Sequence, residues 1–126
     1  MRRLKPVLLL VALCVTTAMS AYAQDAVKVD PKHYKVEFEN EQVRVLRINY
    51  GPGEKSVMHE HPANVAVFLT DGQVKFTAPG GKSQESPAKA GTTLWGDQEK
   101  HLPENVGDKP FELILVELKG KAAPAK

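Results

Sequence analysis

Cysteine is almost missing from this chain: Cys14 is the only one, and it falls in an apolar stretch near the beginning. One cysteine cannot form an intrachain disulfide, and beyond position 14 no thiol is available for redox or nucleophilic chemistry. Leu13 is bulky where a lipid-anchored cysteine needs a small neighbour, so no lipid anchor is expected. Excess charge is missing too. The chain has 17 basic and 15 acidic residues; without Arg2, Arg3 and Lys5 there are 14 against 15, a net charge of about −1 with the histidines neutral. Without a basic patch or stripe there is no footprint for nucleic acid or for an anionic membrane surface. The only long apolar run, Pro6 to Thr17, is too short and wrongly flanked to span a bilayer. Beyond residue 23 there is also no amphipathic helix of useful length, no repeat of solenoid period and no dividing linker.

What is present begins with a leader. Arg2, Arg3 and Lys5 precede the apolar run, and Ala21-Tyr22-Ala23 is the small-x-small pattern of a signal-peptidase site. Residues 1–23 are therefore expected to be a cleaved signal peptide, exported by general secretion rather than by a twin-arginine route. The expected location is the periplasm or the outside of the cell. About 103 residues remain, enough for one small core.

Gln24 to Lys32 is polar and is expected to be loosely held. From Tyr34 the pattern is strand-like: Tyr34, Val36 and Phe38 alternate with charged residues, Asn40-Glu41 marks a turn, and Val43 to Tyr50 is a second extended run. Gly51-Pro52-Gly53 breaks that run. Farther on, Val65, Val67 and Leu69 take one face and Ala66 and Phe68 the other. Asp71-Gly72 then reads as a hairpin turn into Val74 and Phe76, since both turn positions favour positive φ. Pro79-Gly80-Gly81 is another turn, Ser83 to Ser86 a short polar strand, and Pro87 to Gly91 a loop before Thr92 to Trp95. Phe111 to Val116 is apolar on both faces, as in a strand deep in a sandwich. Short strands with regularly spaced turn signals give an all-β barrel or sandwich over residues 34–119. The tail, 120–126, contains only Gly, Lys, Ala and Pro and is expected to be disordered.

Half of the four histidines are concentrated in His59-Glu60-His61. Side chains alternate faces along a strand, so both imidazoles point the same way and can reach one metal ion, while Glu60 points to the other face. The spacing alone also fits a solvated surface pair. The residues around the pair resemble the first cupin motif: glycine, five residues, His-x-His, three or four residues, glutamate, six residues, glycine. Gly53, His59, His61 and Gly72 fall at these intervals, and Val65 stands where the glutamate would be. The second motif ends in histidine, three residues, asparagine, which His101 and Asn105 match. Its earlier proline-x-glycine part is not matched, because Gly91 lies ten residues before His101. The resemblance covers roughly residues 34–119.

The resemblance implies an all-β, single-domain cupin jelly-roll β-barrel with a divalent metal ion in its mouth, held by His59, His61 and His101. Val65, Val67 and Leu69 would then wall the centre. Without the glutamate, three neutral imidazoles leave the ion its full +2 charge, which favours anionic, chelating substrates. The ligand set is similar to that of cysteine dioxygenase and acetylacetone dioxygenase. By that analogy the metal is ferrous iron (Fe2+) and the activity oxygenase-like, on a small anionic or diketone-like substrate. Ligand type alone equally allows nickel, copper, zinc or manganese. A non-catalytic module binding a metal or small ligand, and a metal-free structural cupin, are the alternatives. The expected partner is a small molecule, with no nucleic acid and no stable membrane anchor, and cupins often form homodimers. Gln98, Glu99 and Glu104 are candidates to orient a ligand or accept a proton. Trp95 and Met58 read as core or pocket wall, Tyr34 and Tyr50 as structural, and His33 as exposed.

Overall fold

Alternation of apolar and polar residues along short segments closed by glycine, proline or asparagine resolves into nine strands and one helical turn among the described residues. The computed structural model describes residues 24–120. The expected signal peptide and residues 121–126 of the expected disordered tail lie outside them. The order is α1 (Ala26–Val29), β1 (Tyr34–Glu39), β2 (Val43–Tyr50), β3 (His59–His61), β4 (Asn64–Phe68), β5 (Gly72–Thr77), β6 (Ser83–Ala88), β7 (Thr93–Gly96), β8 (Glu99–Asn105) and β9 (Phe111–Leu118).

Five strands form an antiparallel sheet in the order β1-β2-β9-β4-β7, and four form a second in the order β3-β8-β5-β6. Tyr34, Leu46, Ile48, Tyr50, Phe68, Phe111, Leu113 and Leu115 of the first sheet pack with Val74 and Ala88 of the second to make the core. Each large apolar side chain buried there contributes about 1.5–3 kcal/mol. The all-β jelly-roll class expected from the sequence is the class observed. The β1–β2 hairpin forms as expected, and Asn40 closes its turn: Oδ1 accepts from the backbone N–H of Gln42 at 2.8 Å and of Val43 at 2.9 Å.

Other segments differ from the expectation. Asp71-Gly72 is not a hairpin turn; it leads from β4 in one sheet to β5 in the other. Glycine at 72 meets a steric need there, since a Cβ would stand 2.6 Å from the Phe111 ring. Pro87 lies inside β6 opposite Gln73 rather than in a loop, on the edge strand of its sheet, where a missing N–H interrupts no inner ladder. In β4, Asn64, Ala66 and Phe68 face the interior cavity, which places Val65 and Val67 on the outer face. Leu69 is exposed. In β9 only Phe111, Leu113, Leu115 and Glu117 are buried, and the opposite face is half-buried. Gln24 to Lys32 is packed rather than loose: Ala26 is fully buried, and Asp25 and Asp30 are buried beside it.

The turn after β2 is fastened to β8 through the backbone and side chain of Asn105. Gly53, at φ 72°, donates its N–H to the Asn105 carbonyl at 3.0 Å, and Asn105 N–H donates to the Glu54 carbonyl at 2.9 Å. The Asn105 Nδ2 donors face the carbonyls of Tyr50 (3.2 Å), Gly51 (3.1 Å) and Lys109 (2.8 Å), while Oδ1 accepts from Gly107 N–H at 3.0 Å. The motif asparagine is thus a backbone clamp. Asn105→Ala leaves these buried groups unpaired and is expected to destabilise the protein by about 2–4 kcal/mol in urea denaturation. A loss below about 0.5 kcal/mol would contradict the clamp.

Candidate metal centre

β3 has only three residues, and both of its histidines are buried. It pairs antiparallel with β8, so His59 stands directly opposite His101, and His61 opposite Glu99. The third imidazole therefore arrives by cross-strand pairing inside one sheet, where opposed Cβ atoms lie about 5 Å apart. The ring centroids are 4.7 Å (His59–His61), 4.9 Å (His59–His101) and 5.2 Å (His61–His101) apart, in tilted, edge-on contacts. One ring nitrogen from each histidine lies within 4.8 Å of the other two.

Hydrogen bonding decides which nitrogens these are. His59 Nδ1 donates to the Val57 carbonyl at 2.8 Å, His61 Nδ1 to Glu117 Oε2 at 2.7 Å, and His101 Nδ1 to Glu99 Oε1 at 3.1 Å. Carbonyl and carboxylate oxygens only accept, so each Nδ1 carries a proton, and in the neutral ring Nε2 is the nitrogen that keeps a lone pair. His101 Nε2 is buried with no hydrogen-bond partner. A buried acceptor left open beside two others is what a metal ligand looks like before the ion is considered, and the residues fit a divalent ion. Burial and the neighbouring His61 lower the His59 pKa to about 4; burial, then His61 and His59, lower that of His101 to about 3. Both rings are thus neutral, the form that ligates.

The site contains residues that motif reading missed. Tyr34, read as structural, places its hydroxyl 3.1 Å from His59 Nε2, to which it donates, and 2.5 Å from the Tyr50 hydroxyl, from which it accepts. Burial, followed by repulsion from Tyr50, raises the Tyr34 pKa well above its ordinary value, so the phenol keeps its proton. A metal on His59 Nε2 would require this hydroxyl to turn away. Glu117 is almost completely buried between His61 and Arg44, whose Nε donates to Glu117 Oε1 at 2.6 Å. The sequence did carry a signal for it: Glu117 is in phase with Phe111, Leu113 and Leu115. His33, expected to be exposed, is buried; its Nδ1 donates to Asp30 Oδ2 at 2.7 Å, its Nε2 contacts Glu54, and its ring stacks on Tyr50.

Of the other candidates, only Glu99 reaches the centre. Glu60 points away as expected and accepts from Gln98 at 2.8 Å, and Glu104 pairs with Lys75 at 3.3 Å. Beside the histidines lies a cavity of about 240 Å³ lined by His61, His101, three phenylalanines (Phe68, Phe76, Phe111) and aliphatic residues, with Asn64, Ser86 and Glu99 as polar members and the exposed Leu94 and Trp95 also in its wall. Met58 does not line it. Ala66 does and Val65 does not, so the interior position after the histidine pair follows the four-residue spacing. None of the residues lining the cavity is Lys or Arg.

The lowered pKa values have a measurable consequence. In the unfolded chain these imidazoles titrate near 6.5, so as pH falls from about 6.5 to 4 the unfolded state takes up protons that the folded, metal-free state refuses. Stability falls with pH across that window, with a slope approaching about 2–3 kcal/mol per pH unit for two groups. Urea denaturation of metal-free protein between pH 7 and pH 4.5 measures it, and a flat profile would mean that the rings charge in place.

The comparisons agree with this architecture. A family model described as a cupin domain matches residues 46–117. A crystal structure of a cupin domain from Bordetella pertussis is 27% identical, with a TM-score of 0.65, covering 69% of this chain and 92% of that one. A conserved protein with a double-stranded β-helix domain from Klebsiella pneumoniae is 19% identical, with a TM-score of 0.57, covering 86% and 94%. An RmlC-like cupin family protein from Methanocaldococcus jannaschii is 20% identical, with a TM-score of 0.55, covering 71% and 84%. No curated protein matches the sequence. With its motif histidines, its two antiparallel sheets and a family match across more than half its length, the chain belongs to the cupin domain family.

Proposed function

We propose that this chain binds one divalent metal ion through Nε2 of His59, His61 and His101 and acts as an oxygenase-like enzyme on a small chelating molecule in the adjoining cavity. The observation that carries the reading is the donor set: three imidazoles whose Nδ1 protons are all committed, with His101 Nε2 buried and unpartnered. Three protein ligands leave coordination positions open, as catalytic sites do. Ferrous iron is the favoured metal by analogy with three-histidine cupin dioxygenases; when bound, it would supply Lewis acidity and a place for substrate and dioxygen to meet.

The chain's own residues supply the rest. Tyr34 brings a protonated hydroxyl to the edge of the centre, and Phe68, Phe76 and Phe111 give the cavity an apolar wall. With no Lys or Arg in that wall, a substrate's negative charge would be met by the metal alone. This favours a neutral or enolisable, diketone-like molecule with an apolar body over a strongly anionic one. A cavity of about 240 Å³ is smaller than those holding drug-sized ligands. The leader-like residues 1–23 support a place of action in the periplasm or outside the cell.

Purified protein is expected to bind one equivalent of Fe2+ or Co2+, and His61→Ala or His101→Ala to weaken binding about a hundredfold or more. Oxygen uptake should follow with Fe2+ and a β-diketone. Metal binding without uptake across diketones and thiols would favour a non-catalytic binding module, and no stoichiometric metal would sink the site.

The phase of β4 gives a second test. Ala66→Glu places a carboxylate in the cavity and is expected to tighten divalent-metal binding, whereas Val65→Glu lies on the outer face and should leave affinity unchanged. The reverse pattern would mean that β4 is shifted by one residue.

A further inference from the structure

We infer that residues 25–33 are a positioning element for the histidine centre, reinforcing the ring tautomers of His59 and His61 through two separate hydrogen-bond chains. The inference rests on the three-histidine reading above. The segment is fastened to the strand that bears both ligands: Asp25 forms a parallel bridge with Glu60 of β3, and Ala26 is fully buried.

The first chain starts at Asp30. Ser56 Oγ donates to Asp30 Oδ2 at 2.6 Å and lies 3.3 Å from His59 Nδ1. The single hydroxyl proton is committed to the carboxylate, so Ser56 turns a lone pair toward His59 and reinforces the Val57 carbonyl in holding the proton on Nδ1. A serine free to rotate could instead donate to Nδ1, competing with the Val57 carbonyl for that nitrogen and favouring the tautomer with its proton on Nε2, which has no ligand lone pair there. Asp30 is held in turn by His33, which contacts Glu54 on its other side.

The second chain starts at Asp25. Its carboxylate contacts Arg44 Nη2 and accepts from Nη1 at 3.2 Å, while Arg44 Nε donates to Glu117 Oε1 at 2.6 Å. The guanidinium is planar with fixed donor directions, so anchoring one edge on Asp25 aims Nε at Glu117. Glu117 Oε2 then accepts from His61 Nδ1. A segment that only sealed the end of the sandwich would do so more cheaply with apolar side chains, because burying carboxylates is costly. Here both buried aspartates lead to ligand histidines.

The test is a Co2+ titration of the full chain, read by visible absorption, with thermal melts of each metal-free variant. Asp30→Ala frees Ser56 and is expected to weaken Co2+ affinity about tenfold. Ser56→Ala removes the hydroxyl that needs restraint, so the double variant D30A/S56A should recover to within about threefold of S56A alone. Both D30A variants lose the same buried carboxylate, so that recovery isolates the effect of Ser56 from lost stability. On the second chain, D25A should weaken affinity several-fold in wild type but add nothing to E117Q. The inference is overturned if D30A and D25A lower melting temperature but leave affinity within about twofold, or if D30A and S56A losses multiply. Tight Co2+ binding by wild type with unaffected variants removes only this inference, whereas no Co2+ binding by wild type removes the three-histidine reading beneath it.

Discussion

Three imidazoles can serve one ion through Nε2 only if each is neutral with its proton on Nδ1, and the rest of this structure depends on that constraint. The acceptors that enforce it come from three places: the Val57 carbonyl just before β3, Glu117 on β9 of the opposite sheet, and Glu99 on β8. Only a fold that stacks β9 against the histidine-bearing sheet can bring Glu117 to His61. Burial adds the second condition, holding His59 and His101 neutral by refusing their charged forms. Cross-strand pairing of His59 with His101 supplies the third, since it fixes the distance between rings without any contribution from loops.

The electrostatics follow from the same arrangement. Glu117 is a buried carboxylate beside the centre; Arg44 lies against its other oxygen and is itself shared with Asp25, so the Asp25–Arg44–Glu117 group carries one net negative charge. The three neutral rings would leave a divalent ion its full charge, partly offset by Glu117 behind His61 and Glu99 behind His101, beside a cavity whose walls are largely aromatic and aliphatic. A metal bound there would stand at one end of a small, largely apolar space.

Much of this was legible in the sequence, for identifiable reasons. His59 and His61 two apart, and His101 and Asn105 four apart, share faces on strands whatever the rest of the chain does. The phase of β4 was not legible, because Asn64 to Phe68 carries apolar side chains on both faces and the larger valines turn outward. Asp71-Gly72 has the composition of a hairpin turn, yet which sheet a following strand joins is decided by non-local packing, here the approach of Phe111 to Gly72. The segment around α1 looked loose because its aspartates find partners far along the chain, Asp25 at Arg44 and Asp30 at Ser56. Tyr34 looked like an ordinary strand tyrosine for the same reason: the group it serves, His59, is 25 residues away.

The most direct test of the central claim is the protonation of the ring nitrogens themselves, read by long-range 1H–15N NMR correlations of the histidine side chains near pH 7, with and without a stoichiometric diamagnetic divalent ion such as Zn2+. The result expected is the Nδ1-protonated neutral tautomer for His59, His61 and His101 in the metal-free protein, with all three Nε2 resonances, and not that of His33, shifting on addition of the ion. Nε2-protonated rings, or Nε2 resonances that ignore the ion, would contradict the account.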